Sequence, residues 1–108
     1  MASMRLAVYG TLAPGEVNHH QLNGLTGSWS KGVVRGDKDA HGWGLTHGFP
    51  GLRWNPEGGT VAVQVFESAD LPAHWKRLDE FEGADYRRVL IPVEQDGRLI
   101  IANIYLCG

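Results

Sequence analysis

At 108 residues the chain is the size of one ordinary domain, and its 43% hydrophobic and 20% charged content excludes a disordered, fibrous or coiled-coil protein. Ten Lys plus Arg against twelve Asp plus Glu leave a formal net charge of -2, with no basic concentration of the kind a nucleic-acid surface requires. The single cysteine, Cys107, excludes an internal disulfide and a cysteine cluster for zinc or iron–sulfur.

No apolar run approaches the roughly 20 residues of a membrane-spanning helix, and no basic start with an apolar stretch opens the chain. The expectation is one cytoplasmic domain over residues 1–108. Met1 to Ser3 reads as a lead-in to an apolar strand, Arg5 to Tyr9, which stops at Gly10. Asn18 to Leu25 has room for a short helical piece among the glycines Gly10, Gly15, Gly24 and Gly27. Trp29 to Arg35 and Gly42 to His47 are candidate strands whose glycines suggest bulges or close backbone approaches. Pro50 to Gly59 reads as a turn-rich connection. From Thr60 to Phe66, Val61, Val63 and Val65 alternate with other residues at the two-residue period of a strand. A helix follows from Leu71 to Glu82, with Ser68 and Asp70 as candidate caps, Pro72 in its first turn and Gly83 as its stop. Tyr86 to Glu94 and Arg98 to Leu106 are strands joined through Gln95-Asp96-Gly97 as a hairpin. One firm helix among several strands makes the fold class α+β.

At about 100° per residue, position 82 lies within about 20° of 71 and about 40° of 78. Glu82 therefore points with Leu71, Trp75 and Leu78 into the protein, whereas Glu80 lies half a turn away in solvent. Burial raises a carboxylate's pKa and suits it to accept and return a proton near neutrality, so Glu82 is a candidate general base. The competing expectation is that Glu82 bends out to water from a frayed helix end, or pairs with Arg87 or Arg88. At the other end of the chain, Tyr9-Gly10-Thr11-Leu12 followed by Pro14-Gly15 can aim several backbone N–H groups at one point, a nest for a carboxylate or oxyanion. No Gly-Lys-Ser/Thr follows and the G-x-G-x-x-G spacing is absent, so no nucleotide is implied. His19 and His20, with His41, His47 and His74, do not have the spacing of a zinc site, and no metal is expected. Trp29, Trp43, Trp54 and Trp75 read as core or cleft wall.

Val8-Tyr9-Gly10-Thr11-Leu12, Gly15 and Asn18-His19, followed in order by Leu78-Asp79-Glu80-Phe81-Glu82-Gly83 and Tyr86-Arg87-Arg88, resemble the γ-glutamylcyclotransferase-like family. The resemblance is strongest to its γ-glutamylamine cyclotransferase branch, which Gly48-Phe49-Pro50-Gly51-Leu52 also resembles. It implies a small mixed β-barrel flanked by short helices. It also implies a cofactor-independent enzyme that releases 5-oxoproline from a γ-glutamyl compound. The family's catalytic glutamate maps onto Glu82, its substrate-binding turn onto Tyr9, Gly10, Thr11 and Leu12, and a tyrosine near the site onto Tyr86. Longer relatives carry an extension after the closing hairpin, so substrate choice does not carry over. The alternative is a non-catalytic binding module that uses the same cleft for a small molecule.

Overall fold

The computed structural model describes residues 2–9, 22, 24–39, 51–83 and 86–107. Six strands run in chain order: β1 (Arg5–Val8), β2 (Ser28–Asp39), β3 (Gly51–Trp54), β4 (Gly59–Glu67), β5 (Tyr86–Gln95) and β6 (Arg98–Cys107). One helix, α1 (Trp75–Glu82), and two 3-10 turns, Ala2–Met4 and Leu71–Ala73, accompany them among the described residues. The expected α+β barrel is present, flanked by this one short helix and the 3-10 turns.

The barrel is closed by five strands in the order β2-β4-β1-β6-β5, with β5 returning to β2 through Val33 and Glu94. The sheet is mixed because β1 lies parallel to β6, pairing Leu6 with Asn103 and Ala7 with Ile104, while its other neighbour, β4, is antiparallel. β3 pairs with the end of β2, outside the closed ring. The β5–β6 hairpin turns in two residues, with Asp96 at φ 48° and Gly97 at φ 77°, as its Asp-Gly centre predicts.

Strand periodicity sorts the apolar residues into two layers. Ala7, Val34, Val61, Val63, Val65, Ile91, Val93, Ala102, Ile104 and Leu106 fill the barrel interior. Leu6, Val8, Phe66 and Tyr105 project from the other face and meet Leu22, Leu71, Trp75 and Leu78 beneath the helix. β1 contributes to both layers, which is why it reads as an uninterrupted apolar run rather than an alternating one. Trp29 stacks on Phe66 with centroids 4.8 Å apart at the edge of the second layer.

Four expectations change. The stretch Leu71 to Glu82 is not one helix: a 3-10 turn carries Pro72, and the α-helix begins only at Trp75. Asp70 occupies the N-cap position of the 3-10 turn, but neither it nor Ser68 makes a side-chain cap hydrogen bond to the helix, because their side chains are committed elsewhere. Ser68 Oγ donates to the Thr26 carbonyl and accepts from the Asp70 N–H, while Asp70 Oδ2 accepts from the Thr26 N–H at 2.8 Å, tying the β2 approach to the β4 exit. The Pro50–Gly59 connection contains β3, whose pairing with β2 overrides the local turn chemistry. The lead-in is built into the fold, since Trp75 Nε1 donates to the Ser3 carbonyl at 2.9 Å and Asn103 Nδ2 to the Ala2 carbonyl at 2.9 Å. Gly42 to His47 lies outside the described residues, as does most of Asn18 to Leu25, from which Leu22 is buried and Gly24 turns the chain at φ 87°.

The closing seam depends on Gly32. A Cβ there would stand 2.6 Å from Cγ1 of the fully buried Val93 and 3.3 Å from the Glu94 carbonyl. Around it, Arg35 Nε donates to Glu94 Oε2 at 3.2 Å and Gln95 Nε2 donates to Ser30 Oγ at 2.8 Å and to the Lys31 carbonyl at 3.0 Å. Gly32→Ala is expected to cost about 2 kcal/mol, the ordinary penalty of an overpacked site, and to lower Tm by roughly 10 °C in a calorimetric scan.

Candidate active site

The strand registers bring two distant pieces of sequence to one end of the barrel. β1 runs parallel to β6, so its exit at Val8 and Tyr9 is level with Tyr105 and Leu106. β5 runs against β6, so its entry at Tyr86 pairs with Cys107 and Arg88 pairs with Tyr105. The helix leads into β5 through Gly83, whose φ of 80° ends α1 and whose N–H donates to the Asp79 carbonyl at 3.1 Å. The β1 exit and the C-terminal end of α1 therefore share one rim. Tyr9 confirms this, because its hydroxyl donates to the Tyr105 carbonyl at 2.7 Å while its ring packs on the barrel interior. Tyr86 packs against the layer beneath the helix.

Glu82 is the last residue of α1 and lies half-buried on the face of Trp75 and Leu78, both of which are buried. Glu80 is exposed. The helical relation to Leu71 does not hold, since His74 separates the 3-10 turn from the helix, but Leu71 is buried in the same layer. Neither competing expectation for Glu82 is met. It is not extended into water, and Arg88 forms its ion pair with Asp79 at 2.8 Å. Among the described residues Glu82 has no hydrogen-bond or ion-pair partner. Burial accordingly pushes its carboxyl up to about 7, a value at which it can take up and release a proton in neutral solution.

The surroundings of Glu82 form a connected polar cluster that sequence reasoning did not single out. The Tyr105 hydroxyl donates to Asp79 Oδ1 at 2.7 Å, Arg88 donates to both Asp79 oxygens, and Arg88 Nη1 donates to Asn103 Oδ1 at 2.8 Å. Burial pushes the Asp79 carboxyl up, but hydrogen bonds from Arg88 and Tyr105 and the charge of Arg88 outweigh it, and the group lies below its ordinary value. Burial, the bond to Asp79 and the charge of Asp79 push the Tyr105 phenol far up; Arg88 acts against this and the charge of Glu82 adds to it. Glu82 and Tyr105 are thus within electrostatic reach of each other. The signal was present in β6, where Asn103 and Tyr105 are the residues with polar groups in the otherwise apolar run Leu99 to Leu106.

Gly10, Thr11 and Leu12, the rest of the expected substrate turn, lie outside the described residues, as do His19, His20, His41, His47 and Trp43. His74 accepts from Arg77 Nε at 3.4 Å at the start of α1. No group of three His, Cys, Asp or Glu among the described residues could hold a metal ion. Trp54 is exposed and Trp75 buried, so only the latter is core.

A closed five-stranded mixed barrel, with a half-buried glutamate at the end of its one described helix and level with the β1 exit, defines a small α+β protein with an acid at its rim. The family model for γ-glutamyl cyclotransferase, AIG2-like, matches residues 6–108, and the chain belongs to that family, which includes cyclotransferase enzymes. Solved structures agree. YkqA from Bacillus subtilis is similar at 31% identity with a TM-score of 0.74; the match covers 97% of this chain but 36% of YkqA. An uncharacterized protein from Pyrococcus horikoshii matches at 25% identity and TM-score 0.67, over 97% of this chain and 78% of that one. An AIG2-like protein from Mus musculus shares the fold at 22% identity and TM-score 0.73, over 97% and 77%. None of the curated proteins matches the chain in sequence.

The raised carboxyl has a consequence for stability. Its folded value of about 7 exceeds the 4.5 of a free glutamate, so the folded state binds more protons between these values, and the contribution of Glu82 to stability falls as pH rises through that window. Glu82→Gln is expected to match the wild type near pH 4 and to exceed it by about 1–3 kcal/mol at pH 8, read as a Tm several degrees higher.

Proposed function

We propose that this protein is a cofactor-independent γ-glutamyl cyclotransferase in which Glu82 is the general acid/base. The observation that carries the reading is a half-buried carboxyl without a partner among the described residues, held at about 7 by burial. Membership of the γ-glutamyl cyclotransferase family supports a small-molecule γ-glutamyl substrate.

The chemistry asks little of the protein beyond placement and proton transfer. In a γ-glutamyl compound the α-amine reaches the γ-carbonyl of the same molecule and closes a five-membered lactam, so the nucleophile arrives with the substrate at high effective concentration. Glu82, ionised, takes a proton from the α-ammonium. The free amine attacks the γ-carbonyl carbon, and the tetrahedral intermediate collapses with cleavage of the bond to the departing nitrogen. Glu82, now protonated, gives its proton to that nitrogen as the bond breaks, and the ring nitrogen sheds the second proton of the former amine, which the restored Glu82 carboxylate takes and passes to the departing amine, so that 5-oxoproline and an ammonium leave. In this reading the turn Tyr9-Gly10-Thr11-Leu12 holds the γ-glutamyl half through its backbone N–H groups, and Tyr86 orients the substrate or the Glu82 carboxylate. The proposed setting is cytoplasmic.

The test is a panel of γ-glutamylamines and γ-glutamyl amino acids, with 5-oxoproline followed by mass spectrometry. Wild-type protein is expected to release it from at least one class, with kcat/KM rising through a midpoint of about 7 as Glu82 ionises. Glu82→Gln is expected to lose about 10²–10⁴-fold in kcat while still binding substrate. Turnover near the wild-type rate in Glu82→Gln would refute the mechanism, and tight binding without turnover by the wild type would establish a binding module instead.

A further inference from the structure

Arg88 is fixed from several directions. Its Nε and Nη2 reach the two Asp79 oxygens at 2.8 and 3.4 Å, its Nη1 reaches Asn103 at 2.8 Å, and its guanidinium carbon stands 4.3 Å from the centroid of the Trp75 ring. Asn103, itself buried, is held in turn by the carbonyls of Ala2 and Arg5. Tyr105 spends its hydroxyl proton on Asp79 Oδ1 at 2.7 Å. Asp79 precedes Glu82 by three positions on α1, which makes the two carboxylates neighbours on the helix surface. The cation and the hydroxyl donor that converge on this helix thus both end on the first carboxylate, and neither ends on the second.

We propose that Asp79 is a positioning residue for Glu82: by holding the Arg88 guanidinium and the Tyr105 hydroxyl on its own carboxylate, it keeps both off Glu82 and leaves that carboxyl free to exchange protons. The inference rests on the reading of Glu82 as the acid/base. Among the described residues, the charged and titratable groups around Glu82 are Asp79 and exposed Glu80 on its own helix, exposed Lys76 and Arg77 one to two turns back, and His74 at the start of α1. From β5 they are Tyr86, exposed Arg87 and Arg88, from β6 Tyr105, and beyond the β1 exit Tyr9. Within this set Asp79 and Arg88 are the pair whose charges cancel at short range.

This cancellation fixes the signs. Removing the negative member leaves an unopposed guanidinium near Glu82, which favours the ionised carboxylate and lowers its midpoint. Removing the positive member leaves an unopposed carboxylate one helical turn away, which disfavours ionisation and raises it. Removing both restores the original balance. A residue needed only to hold the helix in place would alter stability, but it would not move the midpoint in opposite directions in the two single variants.

The experiment follows the side-chain carboxyl of Glu82 by ¹³C NMR against pH in the wild type, Asp79→Asn, Arg88→Gln and the double variant, with the pH profile of kcat/KM for the best substrate alongside. Asp79→Asn is expected to lower the midpoint and Arg88→Gln to raise it, each by roughly 0.5–1.5 pH units for charges at this range, with the double variant close to wild type. Arg88→Met, which keeps an apolar stem on Trp75, serves the same arm should Arg88→Gln fold poorly. Shifts in the same direction, or no shift in either single variant, overturn the proposal. The carboxyl titration needs no substrate, so opposed shifts without turnover would sink the cyclotransferase reading and leave this one standing, while turnover with unmoved midpoints would do the reverse.

Discussion

The ion pair between Arg88 and Asp79 ties the short helix to the closing hairpin, and with it the helix end that carries Glu82. An eight-residue helix is too short to persist alone, and this one has no side-chain cap at its start. It is kept in register by burial of Trp75 and Leu78 and by the fork of Arg88, which grips Asp79 on the helix and Asn103 on β6 at once. Stacking of that guanidinium on Trp75 adds a contact to the same face. Because Glu82 follows Asp79 by less than one helical turn, whatever fixes Asp79 fixes the acid.

The second constraint is the parallel pairing of β1 with β6. A short strand buried on both faces sits at the centre of the barrel wall, and its direction decides which end its exit occupies. With β5 antiparallel to β6, the helix end and the β1 exit must meet on one rim, although Tyr9 and Glu82 are far apart in sequence. Tyr9 bonds to the backbone of Tyr105, and Tyr105 bonds to Asp79, so the rim is linked from β1 across β6 to α1 by hydrogen bonds. The site thus stands on barrel strands and a clamped helix end.

Much of this was legible in the sequence. The alternation of Val61, Val63 and Val65 and the Asp96-Gly97 turn are local signals, and they specified β4 and the hairpin to within a residue or two. The inward face of Glu82 was read from its spacing to Leu71 and Leu78; the relation to Leu78 holds because both lie on α1, while Leu71 belongs to the preceding 3-10 turn. β3 was hidden because its partner on β2, Gly36 to Asp39, lies beyond the stretch whose composition reads as a strand, and pairing supplies what propensity lacks there. The break between Leu71 and Trp75 was hidden because Pro72 suits the first turn of either helix type. Asp79, Arg88, Asn103 and Tyr105 could not be joined into a cluster from sequence alone, since only the β5–β6 register puts Arg88 opposite Tyr105 and the helix over both. The family resemblance pointed to the two ends of the site and was silent on what holds them together.

Burial leaves the Glu82 carboxyl without a compensating charge among the described residues and raises it toward neutrality. The direct measurement is the pH titration of the Glu82 side-chain carboxyl in the unmodified protein by ¹³C NMR. A midpoint near 7 is predicted. A midpoint near the 4.5 of a free glutamate would mean that Glu82 is solvated or paired, and would contradict its assignment as the acid/base of the site.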